Sequence, residues 1–168
     1  AGKPLINSVN GKQESLDSIL PIVAHYGCAV VGLTLDEDGI PSTAEGRFRI
    51  ADRIVKEAEE RGIPRTDILI DCLVMSASTN QAEVVEILRA VTLVKERLDV
   101  KTVLGASNVS FGLPARPVLN ATFLAAAFAA GLDAPITNPL DDRLKETIDS
   151  WKVLCGQDEG APAWIEGY

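Results

Sequence analysis

Apolar residues occur along the chain in blocks rather than at every second position. Five short, continuous apolar runs are separated by longer segments in which apolar residues recur every three or four positions. Continuous runs are typical of parallel strands buried on both faces, and the wider spacing is typical of amphipathic helices. The predicted strands are Pro4–Val9, Ala29–Leu35, Ile68–Val74, Thr102–Ala106 and Ala134–Thr137.

Each predicted strand is followed by one predicted helix. The predicted helices are Glu14–Tyr26, Ala44–Arg61, Gln81–Leu98, Val118–Ala130 and Asp141–Leu154. Ser42 stands three residues before Glu45, which is the spacing of a capping box at the start of the second helix. Successive strands lie roughly 30 residues apart, as in βαβ units. This repeat predicts an α/β fold with right-handed crossovers.

Two architectures share this repeat. One is a five-stranded doubly wound sheet of the flavodoxin type, and the other is a (β/α)₈ barrel of about 250 residues. The chain has 168 residues, of which 46% are hydrophobic, so it is long enough for one domain with a sizeable core. Length alone therefore favours the open sheet. We expect one domain at residues 1–156 and a C-terminal tail at residues 157–168, where periodicity is lost.

Charge and composition exclude several classes of protein. The net charge of −8 opposes binding to a phosphate backbone, so we expect no nucleic-acid partner. The longest apolar region, residues 118–136, is interrupted by Asn120, Thr122 and Asp133, so we expect no membrane span. One histidine and three cysteines without a CxxC pattern suggest no metal site and match a protein of the reducing cytoplasm.

Polar residues stand where the predicted strands end. Asn7, Asp36, Asp71, Asn108 and Asn138 bring an amide or a carboxylate to the edge where parallel α/β proteins bind ligands. Turn sequences close to Asp36 and Asn138 favour a turn role for both. Asp71 interrupts an apolar strand, where an ionised carboxylate is costly unless donors meet it, so a functional role is favoured. For Asn7 and Asn108 both roles remain open.

Two segments carry a resemblance to a known family: INSVNGK at residues 6–12 and GASNVSFGLPAR at residues 105–116. They resemble the pterin-binding domain of cobalamin-dependent methionine synthase and its relatives, the methyltetrahydrofolate:corrinoid methyltransferases. The resemblance implies a (β/α)₈ TIM barrel of the pterin-binding, dihydropteroate-synthase-like kind. Residues 1–156 would then be its C-terminal five βα units, strands 4 to 8, without the first three units.

The resemblance also implies partners. An aspartate that the family supplies from an earlier strand has no counterpart here, and Cys72 stands where relatives usually have proline. We expect the missing N-terminal half of the barrel to come from another fragment, a longer chain or a second copy in a homodimer. A corrinoid, carried by another domain or protein, is the expected methyl acceptor.

The implied reaction transfers the N5-methyl group of 5-methyltetrahydrofolate to the cobalt(I) of that corrinoid, with no metal bound by this chain. Asn108 is the implied catalytic residue at N5, Asp71 accepts two pterin donors, and Arg116 binds the pterin or orders its loop. The implied pterin-binding residues are Asn7, Asp71, Gly105, Ser107, Asn108 and Arg116.

Three alternatives remain open at this point. A dihydropteroate synthase shares the fold and the pterin pocket, but it needs a basic cluster for pyrophosphate that this sequence does not display. A non-catalytic pterin-binding module would keep the pocket without the methyl transfer. An open-sheet protein would have no pterin role.

Overall fold

The computed structural model describes residues 2–167, in which one helix follows each strand of a parallel sheet. The strands are β1 (Leu5–Asn10), β2 (Ala29–Leu33), β3 (Ile68–Asp71), β4 (Lys101–Gly105) and β5 (Ala134–Ile136). The helices are α1 (Gln13–Tyr26), α2 (Ala44–Glu60), α3 (Gln81–Leu98), α4 (Arg116–Ala129), α5 (Asp142–Leu154) and α6 (Pro162–Gly167). Within residues 2–167, none of these helices is long and apolar enough to cross a membrane.

The order of the strands decides between the two architectures. The sheet has the order β1-β2-β3-β4-β5, and every neighbouring pair is parallel. A flavodoxin-type sheet would instead place β1 between β2 and β3. With right-handed crossovers, a sequential order puts all helices on one face, and successive helices from α1 to α5 do pack on each other. The barrel-type fold is therefore confirmed, and the open sheet favoured by length alone is wrong.

The two faces of the sheet have different environments. One face packs against the helices, and its buried residues include Val30, Ile68, Ile70, Cys72 and Leu104. The opposite face, which we call the inner face, carries the alternate residues and lies outside that core. From the strand pairing, its residues include Leu5, Asn7, Val31, Leu33, Leu69, Asp71, Val103, Gly105 and Ile136. In a closed barrel this face forms the interior.

Predicted ends of elements differ from the structure by up to three residues, and the differences at β3 and α2 have local reasons. β3 ends at Asp71, three residues before the predicted end at Val74, because Leu73 adopts a left-handed backbone with φ 58°. The capping box predicted from Ser42 and Glu45 is wrong, because α2 begins one residue later than that pair requires. Thr43 is the N-cap of α2, and its hydroxyl accepts a hydrogen bond from the Gly46 N–H at 3.2 Å.

The segment after residue 156 contains the short helix α6, which packs on α5. Asp158 accepts hydrogen bonds from the N–H groups of Ala163 and Trp164 at its start, at 3.3 and 3.1 Å. The first and last residues of the predicted domain and tail, Ala1 and Tyr168, lie outside the described residues. The boundary at residue 156 stays a prediction.

Candidate active site

Asp71 is a buried carboxylate with incomplete hydrogen bonding. It ends β3 on the inner face, in register with Leu33 and Val103, and is 8% exposed. Its Oδ1 accepts the Leu73 N–H at 2.8 Å, and Oδ2 meets no donor within residues 2–167. Burial raises the pKa of Asp71 to about 6, although the bond from Leu73 acts to lower it. A buried carboxylate with a free oxygen is suited to accept hydrogen bonds from a ligand.

The backbone of Asp71 is fixed by the neighbouring strand. The N–H and the Oγ1 of Thr34 both donate to the Asp71 carbonyl oxygen, at 3.0 and 3.1 Å. Thr34 is fully buried. These hydrogen bonds hold the end of β3 in place without a bound ligand. Thr34 was not among the residues predicted from the sequence, where its only signal is a hydroxyl within the apolar run Gly32–Leu35.

Asn108 lies over the inner face at the end of β4. It belongs to a 3₁₀ turn, Ala106–Ser110, that follows β4 directly. Because Gly105 comes two residues after Val103, a Cβ on Gly105 would point to the inner face. The Asn108 Nδ2 atom lies 3.4 Å from the position of that Cβ. The amide is exposed and forms no side-chain hydrogen bond within the described part of the chain, so both of its polar atoms are available to a ligand.

Arg116 binds the loop that carries Asn108. Its Nε donates to Ser110 Oγ at 2.9 Å, and Nη2 donates to the Ser107 carbonyl at 3.1 Å. Its guanidinium also lies 4.6 Å from the centre of the Phe111 ring. Arg116 was expected either to bind the pterin or to order its loop, and these contacts fit the ordering of the loop. A contact of Arg116 or of Ser107 with a pterin stays a prediction.

Asn7 lies on the same face as Asp71 but on β1, two strands away from it. It pairs with Val31, which pairs with Leu69, so its row is two residues nearer the amino end than the row of Asp71. The two side chains also stand two strands apart, which corresponds to about 10 Å across the sheet. Asn7 is exposed. Its role at a second edge of a ligand stays a prediction.

The turn interpretation of two other polar residues is confirmed. Asp36 Oδ1 accepts the Asp38 N–H at 3.1 Å, and its backbone pairs with Gly39. Asn138 Oδ1 accepts the Leu140 N–H at 3.0 Å. Both side chains therefore stabilise local turns at the ends of β2 and β5.

Cys72 and His25 lie apart from the inner face. Cys72 is fully buried against the helices, and burial, assisted by the charge of Asp71, raises the pKa of its thiol to about 12. His25 is exposed and meets the Tyr26 ring edge-on at 4.7 Å. Within residues 2–167, no three His, Cys, Asp or Glu side chains are grouped as metal ligands.

Comparison with known proteins identifies the family. A family model described as pterin binding enzyme matches residues 1–138. The chain belongs to this family. A methionine synthase of Mycobacterium tuberculosis is 39% identical over 150 residues, covering 82% of this chain and 13% of that protein. A methylcorrinoid:tetrahydrofolate methyltransferase of Eubacterium limosum is 31% identical over 157 residues, covering 92% of this chain and 58% of that protein.

The family model and these relatives confirm the family resemblance seen in the sequence. The chain spans less than two thirds of the length of either curated relative. A crystal structure of a dihydropteroate synthetase with a bound product superimposes with a TM-score of 0.65 at 13% identity, covering 92% of this chain and 61% of that one. At this identity the likeness shows the fold alone, and it agrees with five βα units of the barrel type.

Proposed function

We propose that this chain forms part of a cytoplasmic methyltransferase that binds 5-methyltetrahydrofolate and transfers its N5-methyl group to a corrinoid carried by another domain or protein. The observation that carries the proposal is the free carboxylate oxygen of Asp71 on the inner face, beside the strand whose loop places the Asn108 amide there. The curated relatives named methionine synthase and methylcorrinoid:tetrahydrofolate methyltransferase support this class of reaction.

Binding rests on Asp71. A reduced pterin presents a ring N–H and a 2-amino group side by side, and one carboxylate accepts both donors. Within residues 2–167, Oδ2 of Asp71 accepts no hydrogen bond, and Oδ1 keeps a second lone pair beside its bond from Leu73. With a pKa of about 6, Asp71 is mostly ionised at neutral pH and ready to accept them. Asn7 would meet another edge of the ring, because an amide both donates and accepts.

Catalysis rests on Asn108. An amine nitrogen that leaves without a proton is a poor leaving group, so N5 must be protonated as its bond to the methyl carbon breaks. The Asn108 amide would stabilise the protonated N5 by accepting its hydrogen bond, an interaction that is absent from the unprotonated substrate. The corrinoid supplies a cobalt(I) nucleophile that accepts the methyl group. Gly105 and Ser107 would line the ring, and the missing side chain of Gly105 allows close approach.

The sheet also needs partners. Within the described residues β1 and β5 are edge strands, and Leu5 and Ile136 on the inner face are 51% and 52% exposed. A barrel of this type closes only with eight strands, and open edges attract further strands. We therefore propose that three further βα units, from a longer chain or a second copy, cover both edges.

Light scattering on the 168-residue chain tests whether other strands are needed to cover the edges of the sheet. We expect an associated species, because pairing removes the open edges and buries the inner face. A monodisperse monomer that binds methyltetrahydrofolate at micromolar concentration would contradict the proposal that other strands are required.

A single-turnover measurement of methyl transfer from 5-methyltetrahydrofolate to a cobalt(I) corrinoid tests the main proposal. At full native length, Asn108→Ala should slow the transfer by about 10²–10³, as with loss of other transition-state donors, and weaken folate binding far less. Asn138→Ala, which removes an exposed turn amide, is the matched control. Folate binding without any transfer by the native protein would indicate a pterin-binding module. Normal transfer by Asn108→Ala would show that Asn108 only orients the ring.

A further inference from the structure

Two loops at the carboxyl end of the sheet are joined to each other. The β3 loop, residues 72–80, begins beside Asp71, and the β4 loop, residues 106–115, contains Asn108. The Ala77 N–H donates to the Val109 carbonyl at 2.9 Å. The hydroxyls of Ser76 and Ser78 both lie against the Phe111 carbonyl oxygen, at 2.5 and 2.9 Å.

The two serines form a redundant pair. Their Oγ atoms are 2.8 Å apart, so each hydroxyl can donate its single proton to the Phe111 carbonyl or to its neighbour. The Ser78 N–H also donates to Ser76 Oγ at 3.2 Å. If one hydroxyl is removed, the other still satisfies the carbonyl. Only the loss of both leaves Phe111 without its link to the β3 loop.

Arg116 holds the same short segment through separate contacts. Its bonds to Ser110 and to the Ser107 carbonyl, together with its contact to the Phe111 ring, enclose Asn108 between two fixed points. The Asn108 side chain has no hydrogen bond of its own within residues 2–167, so its position follows that of the backbone around it. The serine pair and the Ala77–Val109 hydrogen bond connect the same segment to the β3 loop.

We infer that Ser76 and Ser78 are positioning residues that set the place of Asn108 relative to Asp71. The inference rests on the proposed function, in which Asp71 holds the pterin ring and Asn108 acts at N5 of that ring. A fixed separation between these two groups is what brings the amide to the reacting nitrogen. Displacement of a catalytic group by about 1 Å costs up to about 10²-fold in rate.

The test is the double variant Ser76→Ala/Ser78→Ala at full native length. Its single-turnover rate of methyl transfer should fall by about 10- to 100-fold. Its Kd for methyltetrahydrofolate should stay near the native value, because Leu73 and Thr34 hold Asp71 without the serines. Each single variant should keep most of the rate, and Ser76→Thr/Ser78→Thr should restore it. Ser150→Ala is the matched control, since this hydroxyl donates to the Glu146 carbonyl on α5 at 2.7 Å.

A second measurement needs no ligand. Amide hydrogen exchange at Ala77 should accelerate in the double variant, whereas the Gly11 N–H, bonded to the Leu35 carbonyl at 2.8 Å, should not change. A native transfer rate in the double variant, a parallel loss of rate and affinity, or unfolding of the variant would each overturn the inference. Absence of transfer by the native protein would instead contradict the proposed function.

Discussion

Two aspartates at opposite ends of the sheet have opposite surroundings. Asp133, just before β5 at the amino end, accepts hydrogen bonds from Lys95 at 2.9 Å, from Lys101 at 3.2 Å, and from the N–H and Oγ1 of Thr102 at 2.8 and 3.2 Å. Burial acts to raise the pKa of Asp133, but the bonds from Lys95, Thr102 and Lys101 lower it overall. Among the described residues, the carboxylate of Asp71, at the carboxyl end, accepts a hydrogen bond only from the Leu73 N–H, and burial raises its pKa to about 6.

The difference separates a structural carboxylate from one that is available to a ligand. Asp133 uses its oxygens within the protein and connects α3, β4 and β5. Asp71 can still accept further hydrogen bonds. The folded protein is less stable as a result, because the charge of Asp71 is buried without full compensation. Groups kept in this state for binding commonly reduce the stability of the folded protein.

The largest expected effect is on affinity. Asp71→Asn replaces one acceptor oxygen by a donor that would face the pterin donors. Loss of a charged hydrogen-bonding partner should cost about 1.5–3 kcal/mol, or roughly tenfold to more than a hundredfold in Kd. Calorimetric titration with methyltetrahydrofolate measures this change in Kd. Asp133→Asn is the control and should keep the native affinity. Equal affinity of Asp71→Asn and the native protein would remove Asp71 from the pocket.

The same two variants should change stability in opposite directions. Because the pKa of Asp71 rises from 3.8 to about 6 on folding, its ionisation opposes folding above pH 6, and this penalty disappears as the pH falls below 4. Asp71→Asn should therefore raise the free energy of unfolding at pH 7, by up to about 3 kcal/mol.

Ionisation of Asp133 has the opposite effect on the free energy of unfolding. Its pKa is lowered on folding, so its contribution is present above the unfolded value and is lost as the pH falls through the folded value. Asp133→Asn should lower the free energy of unfolding at pH 7 by about 1–3 kcal/mol. Urea denaturation measures both variants, and a shift in the same direction for both would contradict the comparison.

The smallest expected effect is the pH dependence of binding. Only ionised Asp71 accepts both pterin donors, and its pKa in the free protein is about 6. The affinity for methyltetrahydrofolate should be nearly constant above pH 7 and weaken by about tenfold per pH unit well below 6. The control is Asp71→Asn, which removes this dependence and leaves only the titration of the pterin itself. A native profile that is as flat as that of the variant would be inconsistent with an ionised Asp71 in binding.

Much of the fold and part of the site could be predicted from the sequence. The apolar runs located all five strands, because buried parallel strands need apolar residues on both faces. Asp71 could be singled out because a carboxylate within such a run is costly without a function. The interpretations of Asp36 and Asn138 as turn residues also followed from local sequence.

The remainder depends on contacts between segments that are distant in the sequence. The periodicity of the chain is the same for a barrel and an open sheet, since it does not contain the strand order. The roles of Thr34, Ser76 and Ser78 depend on which backbone carbonyl each hydroxyl meets, namely those of Asp71 and Phe111. No pattern of residue types specifies those pairs. The position of Asn108 at the end of a strand followed from the apolar runs, but its proposed role at N5 followed from the family resemblance.

The sequential strand order also determines how the chain can fold. Each strand pairs only with its neighbours in the sequence, as Val30 does with Ile6 and Ile68. Such topologies have moderate contact order, so each new βα unit can add to those already formed without waiting for a distant part of the chain. The hydrogen bonds of Asp71 with Thr34 and Leu73, and those that hold the β4 loop to Ser76 and Arg116, lie within residues 34–116. These hydrogen bonds of the candidate site can therefore form before β5 pairs with β4.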